Sequence, residues 1–510
     1  MRKFCLLVFL AISIAAADFG EFEKLFAALP DSFGMLVAVD DYKSLRSNKF
    51  RYAIVEPIIS GTPGEFSKKT RQANKLSAKI DALQYAAGFR FIGENLEPLI
   101  GEKSAVAFYY VGDLEFVYAT TMPHFPQSLE KPRSWYEKHE RGGITYWTAQ
   151  KDRQGAFGAF FYHNGILLIT NSKRQLERAL ALAAGESKKS IAADKTTLSA
   201  AEISGFTGDE DALVVLNMAL LRDDPYYARY YQGAPAESKK LLRTAFSFRF
   251  DGKTAKIVRV SLPDGDPGKV EQFIPGKFAD ILPENVFAYR EIAVSAPEDI
   301  PRLIPFGEFL PTGDKTPSIE YAAEAWFAPA GESPQSPVVP IVYIRPYDTR
   351  RFVKELKDTL PKHFEDTLVP GYGAHWERRG EFHTLVDNAG ISLGFAYTVR
   401  KSAVILTTAP EMVELSRLGR DGEIASAAPK RETVSFAYFR PEKVGKTLAE
   451  HIDYLMDKNY LISYTATSFW ENFGEPIAKN VLPNIEKIER HDYFDETAKI
   501  WRTETKVELK

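Results

Sequence analysis

The strongest constraint on what this chain can fold into is that one stretch of it is written twice. Residues 157 to 171 are two apolar runs, Phe157 to His163 and Ile166 to Thr170, hinged at Asn164-Gly165. Asn-Gly between apolar runs specifies a two-residue hairpin, because both turn positions need a positive φ that these residues tolerate. Shifted by a constant 237 positions, Phe395 to Val399 and Ala403 to Thr407 repeat the pattern around Arg400-Lys401-Ser402. A helix-start signal follows each hairpin: Ser172 with Gln175, and Thr408 with Glu411, where Pro410 is tolerated in the first turn.

The duplication reaches well beyond the hairpin. Phe26-Ala27-Ala28-Leu29-Pro30-Asp31 opens the first copy and Phe278-Ala279-Asp280-Ile281-Leu282-Pro283-Glu284 the second, each leading into a strand candidate. Phe116-Val117-Tyr118 answers Ile341-Val342-Tyr343, and Thr254-Ala255-Lys256-Ile257-Val258-Arg259 answers Thr497-Ala498-Lys499-Ile500-Trp501-Arg502. These anchors fall in the same order in both copies, and the second copy loses its largest stretch opposite the polar helical segment around Ser67 to Ala82. Such a deletion belongs in a surface connection, where it costs little.

Between the copies lies Pro263-Asp264-Gly265-Asp266-Pro267-Gly268-Lys269, a Pro- and Gly-rich linker. The reading is therefore unit one over residues 21–262, a linker over 263–272 and unit two over 273–510, units too long for solenoid repeats. Short connections and alternating strands favour an α+β fold: two tandem copies of a mainly antiparallel sheet with helices packed on one face.

The first residues place the chain outside the cytoplasm. Arg2 and Lys3 precede an apolar run from Phe4 to Ile14, then Ala15-Ala16-Ala17 before Asp18, the three-part pattern of a cleaved signal peptide over residues 1–17. The run is well short of the roughly 20 residues that span a bilayer. The expected compartment is periplasmic or extracellular. Cys5 is the only cysteine and lies within that run, so the mature chain holds itself together by burial and not by disulfides. The formal charge of the whole chain is −3, and cleavage removes two basic residues and no acidic one. Nucleic acid is excluded as an expected partner, since phosphate binding needs a concentrated basic surface.

Chemistry-bearing motifs are few. Gly390-Ile391-Ser392-Leu393-Gly394 has the spacing of a nucleophile elbow, but a strand rather than a helix follows it, and Gly155 stands at the serine's position in unit one. His375, Glu377, Glu381 and His383 would present two imidazoles and two carboxylates if they paired across a hairpin, and Tyr146 replaces His383 in the first copy. Asp209-Glu210-Asp211 and Asp264-x-Asp266 lack the glycine and distal glutamate of a calcium loop and read as turns. No Gly-rich phosphate loop or dinucleotide fingerprint is present, so no cofactor is expected. The most unusual surface candidate is Asp224-Pro225-Tyr226-Tyr227-Ala228-Arg229-Tyr230-Tyr231. With Asp224 as cap and Pro225 first in the helix, Tyr226 and Tyr230, and Tyr227 and Tyr231, lie one turn apart. Tyrosines so displayed suit a sugar or a partner's pocket, while the plainer reading has them cover the domain's own sheet.

With its Leu29-Pro30 and Leu282-Pro283 strand openings and its step Leu168-Ile169-Thr170-Asn171-Ser172, the chain resembles a loose group of exported bacterial proteins of unknown function built from tandem α+β units. Unit two departs from that step with Thr408-Ala409. The resemblance transfers no catalytic residue. The expectation is a non-catalytic exported cell-envelope protein, a binding or scaffold module whose partner is an envelope protein, a glycan or a hydrophobic ligand. The alternatives are a hydrolase using Ser392 or a His375/His383 metal site, and a lipid or hydrophobic-ligand carrier.

Overall fold

The computed structural model describes residues 19–69, 78, 80, 81, 84, 90, 93–110, 112, 114–129, 136–151, 156–230, 240–314, 318–328, 338–368, 371, 373–413, 417–457 and 464–510. The signal-like residues 1–17 lie outside that range, as does most of the stretch Ser67 to Ala82. Two compact units are present. Unit one is Met1–Arg51, Ser67–Asp266 and Lys499–Arg502; unit two is Tyr52–Phe66, Pro267–Ala498 and Thr503–Lys510.

The strands of unit one are β1 (Met35–Val39), β2 (Ser104–Tyr110), β3 (Glu115–Thr121), β4 (Glu137–Arg141), β5 (Ile144–Lys151), β6 (Ala156–His163), β7 (Ile166–Thr170), β8 (Ala212–Leu216), β9 (Leu241–Asp251) and β10 (Thr254–Pro263). They pair antiparallel in the spatial order 4-5-6-7-3-2-1-8-9-10. The β6–β7 turn is the one expected from Asn164-Gly165, with φ of 49° and 79°.

Four helices matter here: α1 (Phe22–Ala28), α2 (Lys173–Ala183), α3 (Lys195–Ile203) and the short α4 (Pro225–Tyr230). Ser172 caps α2 by accepting from Gln175 N at 3.4 Å. From α1, Phe22, Leu25 and Phe26 are buried with Leu176 and Leu180 of α2 and Ala200 of α3. They meet a sheet face of small residues, among them Ala38, Ala105, Ala107, Ala119 and Ala245. Alanines on the sheet let bulky helix side chains approach at interior density.

Unit two contains β11 (Val286–Ala293), β12 (Ile319–Phe327), β13 (Val339–Pro346), β14 (His375–Arg379), β15 (Phe382–Val386), β16 (Ser392–Arg400), β17 (Ala403–Thr407), β18 (Ser435–Phe439), β19 (Ile485–Asp495) and, from Thr503 on, β20 (Ile500–Leu509). Their antiparallel order is 14-15-16-17-13-12-11-18-19-20. Strand for strand, that is the order of unit one. The Leu-Pro openings also match in backbone: Ser32 and Asn285, each three residues past its leucine, have φ of 61° and 63°.

Three expectations are corrected. Helices do not lie on one face only. In β13, Ile341 and Tyr343 are buried with Ile424 of α6 (Gly422–Ala427), while Val342 and Ile344 are buried with Phe352, Leu356 and Leu360 of α5 (Thr349–His363). Successive residues point to opposite faces, so this sheet is covered on both. Every residue of β17 is buried accordingly, the mark of a strand enclosed on two sides.

Nor, among the described residues, does the second hairpin run into a helix of α type: Pro410–Met412 forms a single 3₁₀ turn, and Gly419 bridges to Leu282. Proline removes one donor from so short a start, and the pairing at Leu282 then claims the backbone. Finally, the repeated hexamer lies wholly within β10 in unit one, whereas in unit two Thr497 to Lys499 sit in the turn before β20.

Candidate functional site

The structure disperses the histidine group. Across the β14–β15 hairpin His375 opposes Val386, Glu377 opposes Thr384, and Arg378 opposes His383. Opposed residues share a face and neighbours alternate, so His375 and Glu377 point one way and His383 the other. His383 instead stacks on Tyr397, with ring centroids 4.9 Å apart. Burial, then Lys357 and Arg378, lower its pKa. Metal ligands must converge on a point, and these do not. Among the described residues, no group of three or more His, Cys, Asp or Glu side chains is placed to hold a metal.

Ser392 is the exposed first residue of β16, and its Oγ accepts from Gly394 N at 3.2 Å. The strand continues directly from it. An elbow needs a strand-to-helix turn to lift its serine clear of the sheet, and the turn here is a strand entry.

The tyrosine segment is capped as its sequence implies: Asp224 Oδ1 accepts from Tyr226 N at 2.9 Å and Tyr227 N at 3.0 Å. Tyr226 is half-buried, edge-on to Tyr110 with centroids 6.5 Å apart. A Cβ at Gly112 would sit 2.3 Å from that ring, so the glycine is what admits it. Tyr227 is half-buried as well; the side chain of Tyr230 and all of Tyr231 lie outside the described residues.

A different place in unit two forms a cleft, of about 580 Å³. It arises where β18 stops. Pro441 has no N–H to continue a ladder and instead begins α7 (Pro441–Asp457), while α6 starts nearby on its cap Asp421, whose Oδ1 accepts from Glu423 N and Ile424 N at 3.1 Å each. Arg440, the residue between β18 and α7, joins the two starts. Its Nη2 reaches both carboxylate oxygens of Asp421 at 3.0 Å and Glu423 Oε2 at 2.8 Å, Nε reaches Glu423 Oε2 at 3.1 Å, and Nη1 donates to Val286 O. Tyr438 donates to the same Glu423 oxygen at 3.0 Å.

Electrostatics follow from these bonds. The Arg440 hydrogen bond holds the Glu423 carboxyl below the usual glutamate range. Burial, reinforced by Glu423, pushes Tyr438 up to about 12. Burial works against the charge on Arg440, but its bonds to Glu423 and Asp421 outweigh that and raise it.

Across the cleft on β19, Lys487 pairs with Glu489 at 3.0 Å and with Glu508 of β20 at 3.5 Å. Lys443 from the first turn of α7, Glu486 of β19 and Ser426 of α6 complete the polar wall. The arrangement can hold a polar ligand between fixed donors and acceptors. Sequence reasoning passed over this cleft, because its charges come from residues as distant along the chain as Glu423 and Glu508. The visible signals were the Asp421 cap and the Arg440-Pro441 break, each ordinary by itself.

No family model matches the chain, and no curated protein matches it. Among solved structures it is similar to crystal form I of TP0453, at 9% identity and a TM-score of 0.27 over 48% of this chain and 79% of that one. Crystal form III of TP0453 gives 8% identity and a TM-score of 0.28 over 49% and 89%. Among the described residues no helix is long and apolar enough to cross a membrane.

Proposed function

We propose that this chain is a non-catalytic exported protein of the cell envelope, a binding or scaffold module made by duplication of one α+β unit, with unit one at 21–262 and unit two at 273–510. The observation that carries the reading is that one ten-strand order is built twice while the polar groups offered for catalysis stay apart. Ser392 lies at a strand entry, and His375 and His383 lie on opposite faces of their hairpin. A scaffold kept while its surface diverges suits recognition, in which each unit supplies a different surface. Residues 1–17 act as the export signal, and the mature chain works in the periplasm or outside the cell on an envelope protein, a glycan or a hydrophobic ligand.

The test has two arms. Amino-terminal sequencing of the exported protein reads a start at Asp18 if the signal is cleaved as proposed. The purified mature chain, run on a panel of ester, peptide and glycoside substrates, gives no turnover; turnover that Ser392→Ala abolishes, with thermal stability unchanged, overturns the reading.

A further inference from the structure

Register places the cleft opposite a filled position in unit one. Leu216 ends β8 and opposes Thr244 of β9; Phe439 ends β18 and opposes Ile488 of β19. Arg243 therefore corresponds to Lys487, and Asn217 to Arg440. Asp194, the cap of α3 that accepts from Thr196 N and Thr197 N, corresponds to Asp421, the cap of α6.

In unit one Arg243 fills the space between helix and strand. It donates to Asp194 Oδ2 at 2.9 Å, to Thr197 Oγ1 at 3.0 Å and to Asn217 Oδ1, with only 12% of its side chain exposed. In unit two the arginine that holds the cap has moved to the end of β18 as Arg440. The strand position carries Lys487, which pairs along the sheet with Glu489 and Glu508, and the helix above is shorter, six residues against nine. The cleft lies at this position, lined by Lys487, Arg440 and Glu423. The cleft is thus the place where the repeated scaffold differs in shape as well as in surface.

Its chemistry narrows the occupant. Carboxylates of Glu423 and Glu489 are already tied to Arg440 and Lys487, and Glu442 to Lys510. Arg440 is shared with Asp421 and Lys487 with Glu508, so the four lining carboxylates, Glu423, Glu442, Glu486 and Glu489, outnumber the three lining cations, Arg440, Lys443 and Lys487. Lys443 and Glu486, one charge of each sign, line the same wall. A lining with one carboxylate in excess disfavours an anion, and its interleaved donors and acceptors suit a neutral ligand whose every polar group both donates and accepts. Hydroxyls do so. The volume also lies within the range of small-molecule sites.

We infer that this cleft binds a short neutral saccharide, an assignment that rests on the binding-module reading and gives it a ligand class. Isothermal titration calorimetry on the mature chain with glucose, N-acetylglucosamine, maltose and chitobiose tests it. At least one of the four binds. Ser426→Trp, which fills the cleft, abolishes that binding, and the surface double variant Lys443→Ala/Glu486→Ala weakens it by about tenfold or more with the melting temperature unchanged. The inference is overturned if none of the four binds at millimolar concentration, if binding survives both variants, or if glycine and other zwitterionic amino acids bind in their place. No binding together with no turnover refutes the saccharide alone, whereas cleavage of a bound saccharide refutes the non-catalytic reading.

Discussion

Replacing Arg440 by alanine severs the junction that holds β18, α6 and α7 together, and its cost follows from the geometry. The Arg440 and Asp421 side chains are 13% and 16% exposed, so their pair is largely shielded, whereas Glu423 is 68% exposed. An exposed pair contributes under about 1 kcal/mol. Breaking a fully buried one by removing a single partner costs about 3–5 kcal/mol, because the other charge is left unpaired. Here Asp421 keeps its two cap bonds and water can reach it, so the loss falls below that range, at about 2–3 kcal/mol. For a unit of this size that is a fall of roughly 5–10 °C in melting temperature.

Differential scanning calorimetry and urea unfolding of the full chain measure the loss. Adding Asp421→Asn to Arg440→Ala then costs little more, which gives a coupling of at least about 1 kcal/mol in the double-mutant cycle. The acid limb changes too. Arg440 depresses the Glu423 pKa, so this contribution is fully present above the unfolded carboxylate value and is lost as pH falls through the folded one. Arg440→Ala flattens that limb. A variant within about 0.5 kcal/mol of wild type, with an unchanged acid limb, would refute the argument, since that is the range of an unremarkable surface substitution.

Three further outcomes are expected. The turn residues Lys401 and Ser402 hold φ of 49° and 66° without a glycine, so Lys401→Asn/Ser402→Gly, copying Asn164-Gly165, stabilises the chain by about 1 kcal/mol in urea unfolding; no gain would mean the turn is unstrained. Leu356 of α5 is fully buried, and Leu356→Ala costs about 3 kcal/mol by cavity formation, whereas a cost near zero would remove the second covered face of unit two. Glu291 is fully buried and accepts from Gly276 N and Phe278 N, with its pKa raised by burial above the ordinary glutamate value of 4.5. Its contribution is complete below that value and is lost as pH rises through the folded pKa, so Glu291→Gln removes a decline of stability with pH that wild type shows; identical slopes would sink the assignment.

The sequence by itself determined the local pieces. Asn164-Gly165 specified its hairpin and Ser172 and Asp224 their helix caps, because turn chemistry and capping are set by residues near one another in the chain. Tertiary structure decided the rest. Whether the apolar run of β17 is covered on one face or two depends on what packs over it, and α5 and α6 reach it from different stretches of sequence. His375 and His383 look like neighbours along the chain, yet pairing register turns them to opposite faces. The cleft was out of reach for the same reason: its lining comes from α6, the end of β18, the start of α7 and β19, stretches that only strand pairing and helix packing bring together.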